Sequence, residues 1–177
     1  MNTSRRVRKA SLTLHVASSV GWFGAVLVYL ALGVGAVTSD DSALVAAVYV
    51  TMDWAAWVVL VPLAVASLVT GVVQSLVSPW GLLRHYWVVV KLVLTAVATA
   101  VLLAYTQTLS TFADVAARSP LTPGDLAILR NPSIILHTAG AIVALTLAIV
   151  LAAYKPAGLT RRGQRRRLAV GAVRPPT

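Results

Sequence analysis

The sequence predicts an all-α, up-down four-helix bundle built in a lipid bilayer, and three observations carry that expectation. The 177 residues are 58% hydrophobic and only 11% charged, with a mean hydropathy of +0.83, too little charge for a soluble domain of this length. Four apolar stretches, at 10–37, 43–77, 85–106 and 133–154, are each long enough to cross about 30 Å of hydrocarbon at about 1.5 Å per residue. The connections are short, so consecutive helices are expected to be antiparallel neighbours in one domain spanning 1–155, followed by a basic tail over 156–177 that is expected to be disordered.

The first span is too long for the roughly 7–15-residue apolar region of a cleaved signal peptide, so it reads as a retained helix. Asp40 and Asp41 mark the short turn after it. The second span is overlong and must tilt, kink or protrude. Pro62 in its middle removes a backbone donor, which predicts a kink near 58–62. Pro79–Trp80–Gly81 forms the next turn, with an aromatic residue at interface depth. After the third span, 107–132 is the one long loop. Within it Thr122, Pro123 and Asp125 resemble a helix start, which predicts a short surface helix over 125–129. Pro156 and Gly158 end the fourth span.

Cysteine is absent, which excludes disulfides, Fe–S clusters and thiolate metal sites. The net charge of +10 is not a nucleic-acid signature, because it is gathered at membrane borders. Arg5, Arg6, Arg8, Lys9, Arg84, Lys155, Arg161, Arg162, Arg165, Arg166, Arg167 and Arg174 fall on one side, against Arg118 and Arg130 on the other. The positive-inside rule then puts both termini in the cytoplasm, with the basic termini on anionic lipids. Only three of fifteen basic residues are lysine and Glu is absent, a bias that points to a GC-rich bacterial genome and hence a bacterial inner membrane.

The polar residues inside the spans are few, and each asks for a partner. Lys91 stands out: an ammonium within a membrane helix costs about 2.5–3.5 kcal/mol or more. In the first span His15, Ser18, Ser19 and Trp22 share a face. In the second, Asp53, Trp57, Leu60, Ala64, Ser67, Gly71 and Gln74 follow steps of three and four and are expected to line the interior. Lys91 shares a face with Arg84 and Thr95, and His137 with Gly140, Ala141 and Ala144. Counted from the border nearest the termini, His15 and Lys91 both lie about 9 Å deep, in one layer with Gly71 and Gln74. Asp53 and His137 belong to a second layer towards the opposite border, and His85 lies at the interface.

Haem b suits the first layer. An imidazole is the commonest axial ligand and a neutral amine can supply the other. Gly71 would leave room for a flat macrocycle, Trp22 could wall it, Gln74 could bond it, and Arg84 could meet its propionates. His85 is an alternative second ligand. The competing reading is that His15 bonds Ser18, Ser19 or a backbone carbonyl while Lys91 snorkels to lipid phosphates, or that the pair relays protons. A second functional reading is a small transport or metal-handling protein in which Asp53, Lys91 and His137 line a polar path. A third is a non-catalytic subunit of a larger membrane complex, as a homo-oligomer or beside a partner subunit.

Two segments, His15 with Trp22–Phe23–Gly24 and Pro62 through Thr70–Gly71 to Trp87 and Lys91–Leu92, resemble the four-helix membrane protoporphyrinogen IX oxidase family (the HemJ type) and its CopD-like relatives. In that family the first-helix histidine and third-helix lysine are associated with haem, so the resemblance implies haem at His15 and Lys91 and a possible oxidoreductase activity. The chain departs from the family pattern where Thr106, not histidine, follows Tyr105, and in its aliphatic fourth span. It resembles still more an uncharacterised family of actinobacterial four-span membrane proteins.

Overall fold

The computed structural model describes residues 4–78 and 80–172, without the side chains of 166 and 169–172. Among them the regular structure is all helical apart from one isolated bridge between His85 and Leu159. The helices are α1 (Arg5–Thr38), α2 (Ser42–Ala55), α3 (Val61–Val77), α4 (Tyr86–Ala116), α5 (Pro123–Leu129), α6 (Ser133–Tyr154) and α7 (Arg161–Ala172), with a π-helical turn, Ala56–Leu60, joining α2 to α3. Four units, Arg5–Thr38, Ser42–Val77, Tyr86–Ala116 and Pro123–Tyr154, are long and apolar enough to cross a membrane. Successive spans pack side by side, and α6 closes the ring against α1, so α1 and α4 face each other across the interior. This is the expected up-down four-helix membrane bundle.

The π turn explains how the second span is built. Pro62 has no N–H to give the Val58 carbonyl, and its ring crowds that carbonyl. Widening the turn, with the Val61 N–H on the Ala56 carbonyl, absorbs one extra residue. The extra residue rotates everything upstream. Leu60, Ala64 and Ser67 are buried as expected, but the inward stripe then continues through Ala56, Met52, Tyr49 and Val45. Trp57 is turned out, 50% exposed, where the uninterrupted stripe predicted it inside.

Of three other expectations, two are corrected and one holds. The segment 107–116 is not loop: α4 continues through it because Leu109, Phe112, Val115 and Ala116 bury at helical spacing. At 31 residues α4 runs about 46 Å, well beyond the bilayer's hydrocarbon. Second, α5 forms as the short surface helix predicted, starting at Pro123 behind a Thr122–Asp125 capping box, with Leu129 buried beneath it. Third, residues 161–172 of the tail form a helix rather than a disordered coil. Thr160 fixes its start, its N–H bonding the Arg84 carbonyl (3.0 Å) and its hydroxyl the Leu83 carbonyl (2.6 Å). Residues 173–177 of that tail, with Arg174, lie outside the described residues, as does Pro79 in the turn before Trp80.

The core has two parts. Trp22, Val26, Tyr29, Leu60 and Leu145 fill the membrane-depth interior. Ala36, Val45, Tyr49, Met52, Phe112, Val115 and Leu129 fill an extension at the end away from the termini. Tyr49 donates to the Leu129 carbonyl, tying α2 to α5, and its ring meets Phe112 edge-on at 5.4 Å. The two basic residues of this end are engaged with its acids, Arg118 with Asp125 at 2.8 Å and Arg130 with Asp40 at 3.3 Å.

Candidate cofactor site

His15 and Lys91 meet. The Lys91 Nζ lies 3.0 Å from His15 Nε2, across the bundle from α4 to α1. The other face of the ring is equally specified: His15 Nδ1 lies 3.2 Å from the Thr70 hydroxyl of α3, and that hydroxyl donates its proton to the Ala66 carbonyl at 2.6 Å. A hydroxyl has one proton to give, so towards His15 it accepts, and Nδ1 carries the hydrogen. Nε2 is left with its lone pair turned to the amine. The local sequence holds this in place. Ser18, one turn on from His15, donates to the Leu14 carbonyl (2.9 Å) and touches Thr70. Ser19 and Ser67 bond at 2.8 Å and pin α1 to α3 one layer deeper.

Gly71 sits against the imidazole. A Cβ there would come within 3.0 Å of His15 Cε1. The missing side chain therefore makes room for the ring of His15.

Beside the pair lies a cavity of about 580 Å³, lined by residues of α1, α3, α4 and α6, with Trp80 and Lys155 among them. Its size falls within the roughly 300–1,000 Å³ of small-molecule sites. His15, Ser67, Gly71, Gln74, Trp87 and Lys91 all reach its wall. Two of these carry polar atoms with no partner among the described residues: the Gln74 carbonyl oxygen, an acceptor, and the Trp87 indole N–H, a donor. Near Trp80, the Lys155 ammonium stands 5.9 Å from the indole ring. Ser19, Ser75, Ser78 and Thr95 add hydroxyls and the rest of the wall is apolar, so the cavity suits a flat or chain-like apolar body carrying a few polar groups.

The remaining candidates are placed elsewhere. His85 begins α4, bonds the Trp80 carbonyl through Nδ1 (2.8 Å) and packs edge-on to Trp80; it does not line this cavity, which leaves Lys91 as the amine or imidazole facing His15. Arg84 lies in the same loop, half-buried. Trp22 belongs to a different cavity, deeper in the bundle. Asp53 accepts from Ser110 at 2.7 Å, while His137 stacks on Tyr105 with centroids 4.0 Å apart and bonds the Ser133 carbonyl at 2.8 Å. No ion pair joins Asp53 to His137 among the described residues, and no group of three or more His, Cys, Asp or Glu side chains gathers there. Sequence reasoning does not reach Thr70 as the partner of His15; the signal for it is its place beside Gly71, one turn on from Ser67.

No family model, curated protein or solved structure matches the chain.

Proposed function

We propose that this chain is a bacterial inner-membrane protein, both termini cytoplasmic, that binds haem b through His15 and serves electron transfer or tetrapyrrole redox chemistry. One observation carries the reading: an inward imidazole, with its Nδ1–H given to Thr70 and its Nε2 lone pair turned to the Lys91 amine, stands at the wall of a cavity of about 580 Å³. The donor set fits the group. A metal-binding histidine characteristically gives its other ring N–H to an acceptor, as His15 gives Nδ1–H to Thr70. Lys91, whose amine lies 3.0 Å from the imidazole, would be the second residue to hold the group. Lys155 and the Trp87 N–H suit acidic substituents at the rim. When bound, haem would supply reversible one-electron chemistry; the chain's part is to orient the imidazole and shut out water.

A second reading rests on the same 3.0 Å contact. The imidazole and amine satisfy each other without a cofactor, and the cavity then serves an apolar molecule of another kind. The transport reading through Asp53, Lys91 and His137 has no such support, since the three share no contact.

The absorption spectrum of protein purified from haem-replete cells separates these. A Soret band that is lost in His15→Ala and shifted in Lys91→Met is the expected result. Colourless wild-type protein of native helicity rejects haem. The side on which the termini lie is checked by labelling single cysteines placed at Ser4 and Ser42 in intact cells, with only Ser42→Cys expected to react.

A further inference from the structure

A second cavity, of about 430 Å³, occupies the half of the bundle farther from the termini, and Trp22, Tyr29, Tyr105, His137, Gly140 and Ala144 are on its wall. Val97, Val101 and Leu136 also line it, and their exposures of 56%, 47% and 73% put its opening on the lipid side of α4 and α6. A ligand entering there comes from the bilayer.

The polar atoms around this cavity can be accounted for one by one. The Tyr29 hydroxyl donates to the Met52 carbonyl (2.6 Å), Thr106 to the Leu103 carbonyl (2.8 Å) and Thr138 to the Ile134 carbonyl (2.7 Å). The Tyr105 hydroxyl is paired with Ser133 at 3.1 Å. Two atoms remain. The Trp22 indole N–H, on a side chain only 1% exposed, has no acceptor among the described residues. His137 gives Nδ1–H to the Ser133 carbonyl, which leaves Nε2 of the neutral ring as an acceptor with no partner recorded among them. An unmet buried donor is costly, so one donor and one acceptor in an apolar chamber define what completes it. The ligand needs an acceptor oxygen, a donor, an apolar body and a lipid-borne approach. The Tyr105–His137 stack, with planes 24° apart, adds an aromatic surface at one end.

We propose that this lateral cavity binds the ring of a lipid quinone in its reduced, quinol form, with one ring oxygen accepting from Trp22 and one hydroxyl donating to His137 Nε2. An acyl chain fills the space but meets neither atom. The oxidised quinone has only acceptors and pairs with Trp22 alone, so the site favours the quinol. The inference stands apart from the haem reading: it uses other residues, Trp22 lying about 10 Å along α1 from His15.

The test is calorimetric titration of the full chain in lipid nanodiscs with short-chain menaquinone-type and ubiquinone-type analogues, each reduced and oxidised, against empty nanodiscs. Saturable binding of one quinol per chain is expected, with the oxidised form about tenfold weaker. Trp22→Phe should weaken both forms about tenfold, and His137→Phe should weaken the quinol alone and erase the preference. Gly140→Leu should abolish binding by filling the cavity. Nothing lies within 4 Å of a Cβ there, so this variant is expected to fold and decides the matter where Trp22→Phe does not. His15→Ala should leave the affinities unchanged. An isotherm matching empty nanodiscs, equal binding by Gly140→Leu, or a loss that follows His15 and spares Trp22 and His137 overturns the proposal.

Discussion

Replacing Gly71 by alanine tests the seat of His15 with a single methyl group. The Cβ would lie 3.0 Å from His15 Cε1 and 3.4 Å from Nδ1, against about 3.5–4.0 Å for comfortable contact between carbons. The ring must therefore move by several tenths of an ångström, and it is held by Thr70 on one side and Lys91 on the other. Overpacking of this kind costs about 1–3 kcal/mol, while exchanging a helical glycine for alanine gains up to about 1 kcal/mol. The net expectation is a loss of about 0–2 kcal/mol. Gly24 supplies the internal standard: nothing lies within 4 Å of a Cβ there, so Gly24→Ala should show the propensity gain alone. Unfolding of the two purified variants in mixed micelles, followed by circular dichroism, should then separate them by about 1–3 kcal/mol, Gly71→Ala being the weaker. Equal stability, or a stronger Gly71→Ala protein, would mean that the imidazole does not occupy this position.

Three further outcomes follow from the same geometry. Lys91→Met should be tolerated better than His15→Leu in the same unfolding assay, because the first leaves only the imidazole Nε2 acceptor unmet while the second strands the Lys91 amine, at about 1–3 kcal/mol or more; the reverse order refutes the pairing. Tyr49→Phe should cost about 1–3 kcal/mol by leaving the buried Leu129 carbonyl unmet, and should raise amide exchange in α5 more than in α6. The Thr122 hydroxyl and N–H, together with Arg118, hold the Asp125 carboxyl below its usual range. The unfolded chain then takes up protons first, so this contribution is complete at neutral pH and is lost as pH falls through and below the ordinary carboxylate range; exchange protection of α5 should decline there, and Asp125→Asn should remove the dependence.

The sequence made the inner site legible because a helix converts spacing into depth and direction. Counting residues puts His15 and Lys91 at the same expected depth, each on the small or polar face of its span, and two such faces in a four-helix ring meet. What spacing does not carry is the lateral partner. Thr70 sits off the expected stripe, and only the closeness of α1 to α3 at Gly71 brings it to the ring. The stripe itself failed above Leu60 for a backbone reason: a π turn adds a residue, so Met52 and Ala56 take the places assigned to Asp53 and Trp57. Pro62 signals that a distortion occurs, not which way the excess residue goes. The outer end of α4 reads as loop because the polar residues Gln107, Thr108, Ser110 and Asp114 hide the Leu109–Phe112–Val115 periodicity beneath them.

The extension beyond the bilayer bears on the order in which the bundle assembles. Leu129 and Ile134, fully buried among residues of the earlier helices, arrive with the final hairpin, and Tyr49 waits on the Leu129 carbonyl to be satisfied. A chain released into the membrane with only three spans would therefore hold an open apolar notch facing water on the far side. Closing that notch couples insertion of the last segment to completion of the whole particle.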